Sequence, residues 1–163
     1  MKTLLIVWHS RTGGAQAMAE AAAKAARTGA EAIVRSLPAG ETQPADLLGA
    51  DGYLFVCPEN LAAMSGAMKE FFDRCYYPCL ERLNGRPYAA MICAGSDGEG
   101  AARQLTRIAT GWRLKPIAEP LIVDVAAQTP EAILALKTLA PAQLASCAEL
   151  GATLVAGLAM GVF

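Results

Sequence analysis

The chain lacks an excess of basic charge and any long apolar run, and each absence excludes a class of protein. Fourteen Lys and Arg residues are offset by 15 Asp and Glu residues, and the basic residues are scattered, so we expect no nucleic-acid partner. No apolar run approaches the roughly 20 residues that span a bilayer, and the first residues do not form a secretory signal. We therefore expect a soluble, cytoplasmic protein without a membrane partner.

Cysteine is present in an odd number, which argues against a disulfide framework. Five cysteines occur, mostly inside apolar runs, where Cys usually behaves as a small buried hydrophobe. Cys75 and Cys79 are one helical turn apart, but they form only half a zinc site and lack thioredoxin-like spacing. We expect reduced, buried thiols and no metal site.

Short apolar runs alternate with helical patterns along all 163 residues, which predicts one α/β domain. Residues 37–50 are expected to be a loop or weak helix, and Pro58 is expected to end the third strand. Ser65 should cap a helix whose apolar face includes Phe72 and Tyr76, and Pro78 should interrupt that helix. Crossovers on both faces give a three-layer, doubly wound fold, with a five-stranded parallel sheet of order 2-1-3-4-5 that binds ligands between strands one and three. The predicted strands are 3–8, 32–36, 53–57, 87–94 and 117–123, and the predicted helices are 14–27, 65–77, 98–112, one from Pro130 and 141–160.

The most informative segment is Ser10-Arg11-Thr12-Gly13-Gly14, between the first strand and an alanine-rich helix. A strand that turns tightly into a helix directs free backbone N–H groups and the positive end of the helix dipole at one point, which suits a phosphate. Residues 58–65 and 94–100 also come directly after predicted strands, so they should lie at the same sheet edge. Together the three loops predict a pocket for a phosphorylated cofactor.

Several other phosphate-binding or hydrolytic sites are excluded by missing residues. A P-loop requires a Lys directly after its last glycine, and Ala15 stands there instead. The second strand ends at Arg35-Ser36 without the acidic residue of a dinucleotide fold. The acidic residues of a phosphorelay receiver and the loop Cys of a small tyrosine phosphatase are missing too. A Ser hydrolase would need a G-x-S-x-G elbow, so we interpret His9, the single histidine, as a polar residue that ends a strand.

Two motifs carry a family resemblance. Ser10-Arg11-Thr12-Gly13 resembles the flavodoxin S-x-T-G loop. The run MSGAMKEFFDR at 64–74 is similar to the M-S-G-x-[ML]-K-x-F-[FL]-D-x signature of the tryptophan-repressor-binding-protein type of NAD(P)H:quinone oxidoreductase, close to the NAD(P)H-dependent FMN reductases. Residues 94–100 and 155–159 resemble that family's third loop and last helix, so the resemblance covers most of the chain and implies a flavodoxin-like fold.

The resemblance implies an FMN-binding flavoprotein that passes electrons from NAD(P)H to a quinone or similar acceptor. Because the flavin carries the redox chemistry, no catalytic residue is assigned, and the family's tendency to associate implies a homodimer or higher homo-oligomer. The cofactor-binding residues would be Ser10, Arg11, Thr12, Gly13, Gly14 and Ala15 in the first loop, Pro58, Glu59, Asn60, Leu61, Ala62, Ala63 and Met64 in the second, and Ala94, Gly95, Ser96, Asp97 and Gly98 in the third.

Two alternatives stay open, and the loops depart from the family pattern at two places. Ala15 replaces a hydroxyl of the flavodoxin loop, and the second loop lacks the family's aromatic residue and glycine. One alternative is an electron-transfer flavodoxin without NAD(P)H turnover, and the other is a non-catalytic flavodoxin-like binding protein that has lost FMN. The sequence does not distinguish NADH from NADPH or identify the electron acceptor.

Overall fold

The computed structural model describes residues 1–29 and 32–163, and helices alternate with strands as predicted. The first helix extends to Gly29, two residues beyond its predicted end at Arg27. The elements in chain order are β1 (Lys2–Trp8), α1 (Gly14–Gly29), β2 (Ala32–Pro38), α2 (Pro44–Leu48), β3 (Gly52–Asn60), β4 (Ala63–Met64), α3 (Gly66–Cys79), β5 (Pro87–Ala94), α4 (Glu99–Gly111), β6 (Lys115–Pro116), β7 (Leu121–Asp124), α5 (Pro130–Leu134) and α6 (Pro141–Met160).

The sheet has the predicted doubly wound order, with one strand position divided. β1 pairs in parallel with β2 and β3, β3 with β5, and β5 with both β6 and β7. The fifth strand position holds two short strands, because β6 pairs with the start of β5 and β7 with its end, and of the predicted strand at 117–123 only residues 121–123 are in a strand. Pro116 and Pro120 flank the break, where proline offers no N–H to a ladder. The flavodoxin-like α/β architecture is therefore confirmed.

The expectation that Pro58 ends the third strand is wrong. β3 continues to Asn60 and turns back into β4 as an antiparallel hairpin. β1 pairs with β3 only as far as Val56, so beyond that point this edge of β3 needs no further donors and a proline is tolerated. The second loop is consequently a hairpin built on the strand.

The two faces of the sheet carry different cores. Alanine and larger aliphatic side chains fill the face covered by α1 and α6, where the backbone of Ala22 lies against Gly151. Aromatic rings fill the face covered by α3 and α4, with Phe55, Phe72 and Trp112 in successive contact. Both layers hold the carboxyl ends of the strands in fixed positions.

The helix α3 differs from its prediction in three details. Ser65 occupies the N-cap position without a capping hydrogen bond from its side chain, and Pro78 lies in the last turn, so the helix ends one residue later at Cys79. Tyr76, expected on the buried face, is 38% exposed. All five cysteines are buried and free, as predicted.

The helix α6 is apolar enough to qualify, by length and composition, as a membrane span. Its best window has a mean hydropathy of 1.3 and is 33% buried, which differs from the expectation that no segment reaches this length. It packs on α1 through Gly151, Leu154 and Val155 in one of the two hydrophobic cores. Helices in the core of soluble proteins meet the same criterion.

Candidate functional site

A cleft of about 670 Å³ lies at the carboxyl ends of β1, β3 and β5. This is the place, between the first and third strands, where the sequence predicts ligand binding. A volume of this size is typical of small-molecule and cofactor sites. All three predicted loops contribute to its lining. The predicted residues that line it are Ser10, Arg11, Thr12, Gly14, Ala15, Pro58, Glu59, Asn60, Leu61, Ala62, Ala94, Gly95 and Ser96.

The first loop presents the start of α1 to this cleft. Gly13 has φ +90°, a left-handed conformation that glycine adopts without steric cost, and its N–H donates to Ser10 Oγ over 3.1 Å. The first helical hydrogen bond runs from Ala17 N–H to the Gly13 carbonyl over 3.0 Å. The N–H groups of the three residues before Ala17 therefore have no acceptor within the helix, and the loop has the donors that an anion requires.

Gly14 allows the helix start to approach β5 closely. A Cβ atom at Gly14 would lie 2.6 Å from Cys93 Sγ and 3.4 Å from Lys137 Cβ, so a larger residue would displace these groups. Burial raises the pKa of the Cys93 thiol, and the nearby charge of Lys137 opposes that rise. The Cys93 thiol is therefore uncharged and forms part of the lining of the cleft.

The second loop is a two-residue hairpin turn in a strained conformation. Leu61 and Ala62 have φ +52° and +61° between the paired residues Asn60 and Ala63. Positive φ at both central positions characterises a type I′ turn, which favours Asn-Gly, and each non-glycine residue there costs about 1 kcal/mol or more. The turn leaves the Leu61 side chain fully exposed at the mouth of the cleft.

Glu59 connects the second loop to the third. Its Oε1 accepts the Gly98 N–H and its Oε2 accepts the Ala101 N–H, both over 2.9 Å. These donors belong to the N-terminal turn of α4, where a carboxylate is favoured by the helix dipole. A further bond of 2.8 Å runs from Met64 N–H to Gln104 Oε1. The predicted cofactor contact at Glu59 lines the cleft, but its carboxylate holds the hairpin against α4.

Glycines in and beside the third loop allow backbones to pack closely. A Cβ at Gly100 would lie 2.2 Å from the Ala62 carbonyl oxygen, and one at Gly95 would lie 2.8 Å from the Ala127 oxygen. Gly98, with φ +91°, precedes α4. The backbone of Ala62 therefore packs closely against the start of α4, and the backbone of Ala127 packs closely against the third loop.

His9 connects the end of β1 to the start of α3. Its Nδ1 lies 2.8 Å from the hydroxyl of the buried Ser65. Burial and then the positive charge of Arg11 lower the pKa of His9, so the ring is kept neutral. These contacts indicate that His9 has a structural role, in which it joins the end of β1 to the start of α3.

The remaining predicted residues support the cleft without lining it, and a segment that sequence reasoning missed completes it. Asp97 Oδ1 accepts the Glu99 N–H over 3.4 Å, while Gly13, Ala63, Met64 and Gly98 fix the turns described above. Within the described residues no cluster of three His, Cys, Asp or Glu could hold a metal ion. The missed lining residues are Cys93, Val125, Ala127, Ile133, Leu134 and Lys137.

The missed residues differ in how far the sequence could have indicated them. Cys93 precedes the third loop directly, and residues 125–127 come after the fifth strand position, whose carboxyl end lies at the same edge. The rule that ligands bind at these strand ends could have included both. No local pattern marks Lys137.

Known proteins resemble the chain in sequence and in fold. The model of the family described as NADPH-dependent FMN reductase matches residues 38–128, which includes the second and third loops. A flavodoxin from Aquifex aeolicus is 32% identical over 100 residues, 61% of this chain and 54% of that protein. An NAD(P)H dehydrogenase (quinone) from Acidithiobacillus ferrooxidans is 30% identical over 131 residues, 68% of this chain and 66% of that protein.

A solved structure extends the fold similarity to nearly the whole chain. The flavodoxin, WrbA-like protein from Agrobacterium tumefaciens has a TM-score of 0.70 at 21% identity and covers 96% of each chain. At this identity the likeness concerns the fold. The chain spans between about half and two thirds of the length of the two curated relatives.

Proposed function

We propose a function from the premise that this chain belongs to the NADPH-dependent FMN reductase family, whose model matches more than half of it. The family and the flavodoxin relative indicate FMN as the cofactor. The proposed activity is that of an oxidoreductase, in which NAD(P)H supplies electrons that reach a quinone or similar small acceptor through FMN. The single observation that carries the proposal is the meeting of all three loops in one cleft at the start of α1.

The first loop fits a phosphate group. The N–H groups of Gly14 and Ala15 lie at the positive end of α1, and the hydroxyls of Ser10 and Thr12 and the guanidinium of Arg11 lie around the same cleft. Ala15 lacks a hydroxyl, and the loss of one neutral hydrogen bond costs only about 0.5 to 1.5 kcal/mol. The remaining donors are sufficient to hold the phosphate.

The second and third loops fit the flat ring system. Leu61 and Ala62 offer aliphatic surface, and the main chain of Gly95 and Ser96 offers polar groups at the cleft wall. Bound FMN would supply the hydride and electron chemistry. The protein's share is to position the ring, to satisfy its polar edge from the backbone and to keep water from the aliphatic side.

A flavin titration with subsequent reduction tests the proposal. We expect the purified protein to bind FMN and shift its absorbance spectrum, and anaerobic NADH or NADPH to bleach that spectrum until a quinone restores it. Ser10→Ala and Thr12→Ala should weaken FMN binding, while the matched control Ser146→Ala, on the exposed side of α6, should not. A protein that retains no FMN would overturn the proposal and favour the binding-protein alternative.

An electron-carrying flavodoxin is the second candidate, favoured by the similarity to the Aquifex aeolicus flavodoxin. It predicts that FMN binds and is reduced by dithionite, while NADH and NADPH leave the spectrum unchanged. We also propose a homodimer or higher homo-oligomer, which light scattering of the purified protein would measure.

A further inference from the structure

The segment between β7 and α6 forms a fourth wall of the cleft. Val125 N–H donates to the Ala94 carbonyl over 2.8 Å and Ala127 N–H to the Gly95 carbonyl over 2.9 Å. At the other end of the segment, Lys137 N–H donates to the Thr12 carbonyl over 2.8 Å. The segment is thus attached to both the third loop and the first.

Lys137 is the charged residue of this wall. Its Cβ and Cγ lie 3.4 and 3.5 Å from the position of a Cβ at Gly14, so its half-buried stem crosses the start of α1. Its Nζ donates to the carbonyls of Ile133 over 2.9 Å and of Ala135 over 2.6 Å. An ammonium group has three donors, so one N–H is left after these two bonds.

The charges of the cleft are unevenly distributed. Its lining contains three charged side chains, Arg11, Glu59 and Lys137. The Glu59 carboxylate is bonded to the first turn of α4. In the described part of the chain no carboxylate forms an ion pair with Lys137. The charged side chains that line the first-loop side of the cleft are therefore the two basic ones, Arg11 and Lys137, beside the positive end of α1.

We propose that Lys137 pairs with the phosphate group of the cofactor and so makes the site selective for phosphorylated flavin. The inference rests on the proposed function. The carbonyls at the end of α5 hold the ammonium, and Lys137 passes Gly14 with its stem and lines the same cleft as the first loop. A phosphate in this loop would accept the third N–H as a charge-assisted hydrogen bond. The opposing explanation is that Lys137 only satisfies the carbonyls of Ile133 and Ala135.

Riboflavin separates the two explanations because it lacks the phosphate but keeps the ring. We expect Lys137→Met to weaken FMN binding about 10- to 100-fold, measured by quenching of flavin fluorescence at low salt, and to change riboflavin binding by less than about threefold. Lys137→Arg should restore most of the FMN affinity. The matched control Lys115→Met removes an exposed lysine at the opposite end of β5 and should change neither.

Measurements on the unaltered protein test the role of the phosphate without depending on whether a variant folds. Inorganic phosphate should compete with FMN but not with riboflavin, and added salt should weaken FMN binding more steeply than riboflavin binding. Equal losses of FMN and riboflavin affinity in Lys137→Met, or unchanged FMN affinity, would overturn the role of Lys137 alone. If the unaltered protein binds neither flavin, the proposed function fails as well.

Discussion

The two ends of the cleft are closed by different kinds of atoms. At the first-loop end, residues 10–15, the nearest groups to Gly14 are the side chains of Cys93 and Lys137. At the hairpin end, residues 58–64, the nearest group to Gly100 is the carbonyl of Ala62. A side chain can rotate away from an added atom, whereas a hydrogen-bonded backbone cannot without moving the loop. We therefore expect the first-loop end to adapt to substitution and the hairpin end to resist it.

The largest expected effect comes from Gly100→Ala. The added Cβ would meet the Ala62 oxygen at 2.2 Å, so the hairpin must separate from α4, at a cost of about 3 kcal/mol or more in the free energy of unfolding. Urea unfolding measures this change, and flavin affinity should fall with it. Gly111→Ala, in the same helix with nothing near its Cβ, should stabilise the protein by up to about 1 kcal/mol. Similar results for the two variants would contradict the comparison.

The next effect is expected from Glu59→Gln. The Gly98 and Ala101 N–H groups bond to different oxygens of Glu59. In the amide an NH2 group, which donates and cannot accept, replaces one of these oxygens, so one N–H loses its acceptor and the favourable interaction with the α4 dipole is lost. We expect a loss of about 2 kcal/mol in the free energy of unfolding and weaker binding of riboflavin as well as of FMN. Glu99→Gln, an exposed residue in the same turn of α4, is the control and should cost less than about 0.5 kcal/mol. An equal loss in both variants would mean that Glu59 does not hold the hairpin.

The contrast between the two ends also explains which parts of the site the sequence revealed. The first loop is local, because the strand, the tight turn and the helix are consecutive in the chain, so its place at the edge of the cleft could be predicted directly. The order of the sheet was predictable from the alternation of apolar runs with helical patterns. These features depend on neighbours in the chain, which sequence patterns describe well.

The hairpin end and the fourth wall depend on contacts that local patterns do not encode. Pro58 suggested the end of a strand, and Leu61-Ala62 lacks the Asn-Gly signal of a two-residue hairpin, so the turn was missed. Glu59 could be placed near the cleft, but its bonds to α4 depend on how two loops pack. Lys137 reaches the first loop only because the sheet brings distant segments to one edge.

A smaller effect is expected at the first-loop end from Gly14→Ala. Its Cβ would press on Cys93 Sγ, which can rotate, so the loss should be about 1 kcal/mol. Removing the thiol tests this explanation, because the double variant Gly14→Ala, Cys93→Ala should recover most of the stability that Gly14→Ala loses. A double-mutant cycle by urea unfolding should give a coupling of about 1 kcal/mol. No coupling would mean that backbone rather than the thiol limits this end.

The smallest effect concerns His9, which joins the two ends through its bond to Ser65. Burial and Arg11 lower its pKa below the ordinary value of 6.5, so around and below that pH the unfolded chain binds more protons than the folded one. The contribution of neutral His9 to stability is therefore present above about pH 6.5 and is lost as the pH falls toward the folded-state pKa.

Urea unfolding between about pH 5 and 7.5 measures this dependence. We expect His9→Gln to flatten the slope of stability against pH. Arg11→Gln removes the smaller cause of the shift, so it should reduce the slope without abolishing it. Gln can still bond to Ser65, so the connection between β1 and α3 is kept in His9→Gln. An unchanged slope in this variant would show that another group titrates in this range and that His9 does not cause the pH dependence.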